Sequence, residues 1–349
     1  MVKIDTTYYK LNPWVSLLRI FMCFVVIRDH FGTNGDTLAQ KIVAQFELLA
    51  VPCFMFLSFY FMGEDIKLLK IEKIKNRLLR LYIPIFVWNI IYWVCKNLFY
   101  LIYNKKEQII GINGLIEGLL FGHYSGLAFQ LWFLFVQIII LLIVCIILSY
   151  VQNDKGKNYI LLIMLLLCYI IEYMKINNEL FDSSAYAIKY PMGRIIECIP
   201  YAIIGILYSW NFKEKHIICQ ICFLLFCTVA TIISRFYIPA PSGFGYSGVY
   251  LLFSSTAICV FSFILPNVFF RGRIWINYVG TCTMGIYCLH VLIGQWAVAE
   301  SSSINILKNI LFVNTLIFDA IIFVTCLVIT IFIRYLNRKL KWSWIKYSV

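Results

Sequence analysis

Residues 129–150 read FQLWFLFVQIIILLIVCIILSY, a run without a single Asp, Glu, Lys, Arg or His. A helix rises about 1.5 Å per residue, so a run of this length crosses the roughly 30 Å hydrocarbon layer of a bilayer. Comparable runs lie near 14–31, 41–62, 81–103, 158–174, 195–210, 217–236, 249–270, 279–298 and 310–333, giving ten candidate spans. Backbone groups in lipid must be satisfied within the segment, and no alternating pattern of barrel strands is present. The expected fold is therefore an all-α integral membrane bundle of about ten transmembrane helices. Composition agrees: 62% of the 349 residues are hydrophobic and 13% charged, against about 25% charged in ordinary globular domains. A soluble domain is excluded.

The net charge of +13 would suggest nucleic acid in a soluble chain. In a membrane protein it marks cytoplasmic loops, and no nucleic-acid partner is expected. With the N-terminus inside, nineteen Lys and Arg fall on inner segments and six on outer ones, namely Lys105, Lys106, Lys175, Lys189, Arg194 and Lys308. Both termini and the loop 63–80 are thus expected in the cytoplasm, and the uncharged loop near 237–248 outside. The first span carries Arg19, Arg28, Asp29 and His30 and lacks a small-residue cleavage site, so it is expected to remain in the protein. One domain over 1–349 is expected. The connection 104–128 contains IIGINGLIEGLLFGH, which reads as a short helix on or dipping into the outer leaflet. The 13 cysteines lie mostly inside apolar runs, where they act as small hydrophobes. Cys219 and Cys222 form a CxxC with no second pair nearby, and no metal site is expected.

An ionisable side chain at the centre of a membrane helix costs about 2.5–3.5 kcal/mol on insertion scales, so each one needs a reason. Arg19 and His30 stand eleven residues apart, three turns plus about 20° of helix, which puts them on one face roughly 16 Å apart. A structural arginine and a satisfied interfacial histidine account for that spacing as well as a catalytic pair does. Glu47, Glu172, Arg194, Glu197, Arg235 and Asp319 supply further polar groups, and Arg194 and Glu197 are spaced to pair on one turn. Glu47 and Asp319 lie deepest. Either could meet His30.

These residues resemble a family. LLRIFMCFVVIRDHF (17–31), with ten residues between its first Arg and its His, is similar to the first-helix signature of the acyltransferase 3 family of membrane acyltransferases. VPCFMFLSFYFM (51–62) resembles the family's V-P-x-F-F-x-x-S-G-Y segment, and KIKNRLLRLYIPIFVW (73–88) its basic loop entering the third helix. QLWFLFVQIII (130–140) resembles H-x-W-F-L, and YVGTCTMGIYCLHVLI (278–293) resembles G-x-x-S-x-x-I-Y-x-x-H. Two departures stand out. Phe59 replaces the usual Gly after Ser58, which puts close packing there in question, and Gln130 stands near the usual His, for which His123 is no assured substitute.

The resemblance implies a standalone multi-pass enzyme of the bacterial cytoplasmic membrane, without the fused extracytoplasmic domain of some members. It implies transfer of an acyl group, most often acetyl, from cytoplasmic acyl-coenzyme A to a hydroxyl of a surface polysaccharide or lipid-linked glycan. Arg19, Arg77 and Arg80 are then the donor-binding candidates, since guanidinium forks suit phosphate. For Arg77 and Arg80, ordinary positive-inside charge is the plainer alternative. Abstraction of the hydroxyl proton needs a base, for which His30 comes first and His290 and Glu47 follow. A proton-coupled transporter or flippase of an envelope precursor is the competing function, because such proteins also carry protonatable groups through the bundle.

Overall fold

The structure is a computed structural model that describes residues 12–31, 38–122, 127–177, 186–237, 246, 248–265, 273–301 and 315–340. His123 and most of the loop near 237–248 lie outside these residues, as does the side chain of Glu172. The described residues form α-helices, three short 3-10 turns and connections, with no strand. In chain order the helices are α1 (Pro13–Phe31), α2 (Leu38–Ala44), α3 (Ala50–Lys67), α4 (Ile71–Ile102), α5 (Ile112–Phe121), α6 (Trp132–Ser149) and α7 (Asp154–Asn177). They continue as α8 (Tyr186–Asn211), α9 (Ile217–Tyr237), α10 (Val249–Ile264), α11 (Arg273–Thr281), α12 (Thr283–Ser301) and α13 (Thr315–Leu340).

Helix covers part of each of the ten expected segments. By length and mean hydropathy, however, five helical stretches among the described residues suffice to cross a membrane: Leu38–Lys67, Ile71–Ile102, Phe129–Ser149, Ile217–Tyr237 and Leu316–Asn337. A sixth is reached if α11 and α12, bent by 55° at their junction, count as one span. The others fall short for physical reasons: α1 carries Arg19, Arg28 and Asp29 in its 19 residues, and α10 has only 16 residues.

Three boundaries differ from the sequence expectation. The basic stretch 71–80 is helix rather than loop, because its Leu, Lys and Arg are good helix formers, and α4 runs 32 residues, about 48 Å. The second segment is interrupted: α2 ends at Ala44, a 3-10 turn takes Glu47–Leu49, and helix resumes at Ala50. Pro52 is tolerated there because the first turn of a helix has no intrahelical partner for its missing N–H. The ninth segment is broken at Cys282 rather than continuous. The short helix expected between 104 and 128 is α5, whose buried Gly118 lies against Asn89 of α4.

The chain divides into two compact units, Met1–Ala50 with Leu265–Val349, and Val51–Ile264. In the first, α1 packs against α11, α12 and α13. In the second, α9 packs on α10, α8 on α6 and α7, and α4 on α5 and α6. The close packing that Phe59 put in question is found instead at another glycine of this unit. Phe59 is buried, whereas a Cβ on Gly205 of α8 would stand 2.5 Å from the Phe56 carbonyl oxygen of α3. A glycine on α8 thus supplies the contact that a glycine on α3 would have.

Candidate active site

The first unit assembles its polar groups around α1. Ascending α1 and the α11–α12 segment together, contacts follow in the same order. A Cβ on Gly280 would lie 2.7 Å from Ser16 Cβ, so only hydrogen allows α11 so close. Arg19 Nη2 donates to Thr283 Oγ1 at 3.1 Å. Cys23 Sγ lies 3.7 Å from the Thr283 carbonyl oxygen as donor. The rings of His30 and His290 stack with centroids 5.1 Å apart and planes 20° from parallel, and Gly294 lies against Phe31. The two helical segments therefore run in the same direction, with Gly280 of α11 meeting Ser16, and Thr283 and His290 of α12 meeting Arg19 and His30.

The 55° break between α11 and α12 would leave carbonyl groups without helical partners, which is costly where no water can reach. Side chains take them up. Thr281 Oγ1 donates to the Tyr278 carbonyl at 2.7 Å and Thr283 Oγ1 to that of Gly280 at 3.0 Å. From α13, Arg334 donates to Thr281 Oγ1 at 2.8 Å and to the Thr281 carbonyl at 2.5 Å. Two guanidinium groups, Arg19 and Arg334, thus converge on Thr281–Thr283. Arg334 was expected on an inner segment as positive-inside charge, and its part in the break was not foreseen. The absence of Gly and Pro at 281–283 hid the break itself.

The His290 imidazole is fully buried. Its Nδ1 lies 2.7 Å from the Tyr287 carbonyl oxygen. A carbonyl only accepts, so Nδ1 carries the proton and Nε2 the lone pair. That Nε2 is buried and has no hydrogen-bond partner among the described residues. His30, by contrast, is partly exposed. Of the two stacked rings, it is the less buried.

Arg28 holds both carboxylates expected to lie deepest, of which Asp319 is buried and Glu47, in a 3-10 turn, is partly exposed. Its Nη1 lies 3.5 Å from Asp319 Oδ2 and its Nε 3.6 Å from Glu47 Oε1, with Arg28 2% and Asp319 0% exposed. These are ion pairs at the long end of contact rather than tight hydrogen bonds. Glu47 and Asp319 therefore gather on Arg28, two positions before His30, while Asp29 is exposed.

In the second unit, Arg77 lies in the first turns of α4. Its Nη2 donates to Ser58 Oγ at 2.6 Å and reaches Gln137 Oε1 at 3.4 Å, and Ser58 donates to the same oxygen at 2.8 Å. Ser58 and Gln137 thus aim the guanidinium; Gln137 was legible as a polar residue in the apolar stretch of α6 but was passed over. Arg80, one turn on, is exposed. Elsewhere in this unit Lys96 is buried and donates to the Leu127 carbonyl at 2.9 Å, and Gln130 donates to the Tyr92 hydroxyl at 2.6 Å. Arg194 and Glu197 form the expected pair at 2.6 Å. Its guanidinium also lies over the rings of Trp132 and Tyr246. Arg235 sits 4.7 Å over the ring of Tyr250.

A family model described as an acyltransferase domain matches residues 12–344, nearly the whole chain. The chain belongs to the acyltransferase 3 family. Every segment that carries the resemblance lies inside the match, including both histidines and the arginines of α1 and α4. Membership establishes a membrane acyltransferase in general terms, and the apolar helices fit a multi-pass protein. Neither curated proteins nor solved structures yield a match to this chain.

Proposed function

We propose that this protein transfers an acyl group, acetyl in the simplest case, from cytoplasmic acyl-coenzyme A to a hydroxyl of an extracytoplasmic acceptor. The acceptor is a surface polysaccharide or its lipid-linked precursor, and the setting a bacterial cytoplasmic membrane. In this reading the chain crosses the bilayer ten times with both termini in the cytoplasm. The observation that carries the proposal is the stacking of His30, on the helix that also holds Arg19, against His290 of α12.

Of the two imidazoles, His30 is the less buried and takes the proton from the acceptor hydroxyl. The oxygen then attacks the thioester carbonyl, and the tetrahedral intermediate expels the coenzyme thiolate, which recovers a proton from the His30 imidazolium. His290 stacks against His30 and holds its ring in place. Two imidazolium rings stacked this closely would repel, so at most one of the two rings is an imidazolium at any moment of turnover. Arg19, deeper on the same face, serves the donor.

A positioned base contributes typically 10²- to 10⁴-fold in rate. His30→Gln should lower acceptor acylation by about that factor while folded yield is kept; near-normal turnover would move the base to His290 or Glu47. One observation favours the transporter reading, namely the broken α11–α12 segment, since discontinuous helices form transporter sites. Acceptor-dependent release of coenzyme A by the purified protein separates the two. Its absence alongside proton-driven uptake of an envelope precursor would establish the transporter.

A further inference from the structure

The second unit contains a cavity of about 520 Å³, within the range of small-molecule sites. It lies between the start of α7, the end of α8 and the start of α9. Lys155, Asn158, Tyr159, Tyr208, Asn211 and Phe223 are among the residues that line it. The catalytic reading makes no use of it.

Its chemistry has three parts. Aromatic rings give flat apolar faces: Tyr208 and Phe223 are 5.6 Å apart by ring centroid, and Tyr159 is 65% exposed. Two amides at the rim, Asn211 and Asn158, are hydrogen-bonded at 3.1 Å and offer further donor and acceptor atoms. The third part is positive charge. Lys67 pairs with Asp154 at 3.0 Å, Lys157 donates to the Lys67 carbonyl at 2.8 Å, and Trp210 donates to the Gly63 carbonyl at 2.7 Å. These contacts bring 63–80, 151–157 and 211–216 to one end of the unit, where they carry ten Lys or Arg against five Asp or Glu. A base-stacking cleft with an amide rim at the basic end suits a purine nucleotide bearing several phosphates. Tyr208 also meets Phe56 and Tyr60 at 5.9 and 5.8 Å, the residues two before and two after Ser58, which accepts from Arg77. Cavity and Arg77 therefore share one neighbourhood within this unit.

We propose that this cavity receives the adenosine 3′-phosphate end of the donor, with Tyr159 stacking on the adenine and Lys155 at a phosphate. The inference rests on acyl-coenzyme A being the donor. Coenzyme A binding to the full chain in nanodiscs of phosphatidylethanolamine tests it, with adenosine 3′,5′-bisphosphate and pantetheine as competitors. Tyr159→Ala and Lys155→Glu change exposed side chains and should each weaken coenzyme A by about tenfold, the scale of one lost base stack. Both should weaken competition by the bisphosphate by a similar factor and spare competition by pantetheine, and Tyr159→Trp should restore binding. If wild-type protein binds coenzyme A and the variants bind it equally well, the cavity is not the nucleotide site although the donor stands. If the wild type binds none, the donor reading falls and the inference with it. If the variants lose affinity only when anionic lipid is added to the discs, the cavity holds a lipid headgroup and the proposal is overturned.

Discussion

Arg28 in the first unit and Arg77 in the second are guanidinium groups held by helices, but the groups that hold them differ in kind. Arg28 meets carboxylates, Asp319 and Glu47. Arg77 meets a hydroxyl and an amide, Ser58 and Gln137. Carboxylates neutralise a guanidinium and make it a brace, whereas a hydroxyl and an amide fix the direction of the nitrogen they meet. Arg19, whose partner is the Thr283 hydroxyl, belongs with Arg77. The sequence places Arg19 and Arg28 on the same helix nine residues apart, and only their partners separate anion handling from support.

The sharpest way to break this comparison is to remove a carboxylate from Arg28. Asp319→Ala leaves a buried cation with half its compensation and should cost about 3–5 kcal/mol, seen as lost folded yield. Arg28→Met combined with Asp319→Leu should recover most of it, because a well-packed apolar pair replaces a buried ion pair at little cost. Failure of the double variant to recover would give Arg28 a role beyond bracing. Next in size is Gly280→Ala, which pushes α11 from Ser16 and carries Thr283 away from Arg19. Overpacking of this kind costs about 1–3 kcal/mol, measurable as a lower unfolding temperature together with slower transfer.

Arg77→Lys sharpens the other side. Both contacts come from the one nitrogen Nη2, and a single ammonium on the shorter lysine cannot keep them while meeting an anion with the geometry of a planar fork, so coenzyme A affinity should fall roughly tenfold with normal folded yield. A drop in yield equal to that of Asp319→Ala would erase the distinction between the two arginines. Smallest is Lys73→Gln, which removes an exposed ion pair with Asp65 at 3.2 Å. Stability should change by less than about 0.5 kcal/mol; a larger loss in a denaturation series would show that the basic end is held by its charges rather than by helix packing.

Hydropathy alone established the membrane-helical character of this chain, because only internally bonded helices survive in lipid and the charge-free run 129–150 has no soluble counterpart. Helical periodicity put Arg19 and His30 on one face, and the two side chains do turn to one neighbour, the α11–α12 segment. The i,i+3 pair Arg194–Glu197 was legible for the same reason, since its geometry is local. Tertiary structure alone decided that Glu47 and Asp319 gather on Arg28, that His290 stacks on His30, and that Arg334 reaches back to Thr281. Partners separated by more than 250 residues, such as Arg28 and Asp319, are set by which helices pack together, and no period within a helix encodes that. The break at Cys282 escaped the sequence because its cause is distant: its freed carbonyls are met by Arg334 and the threonine hydroxyls, and none of residues 281–283 is a proline or glycine.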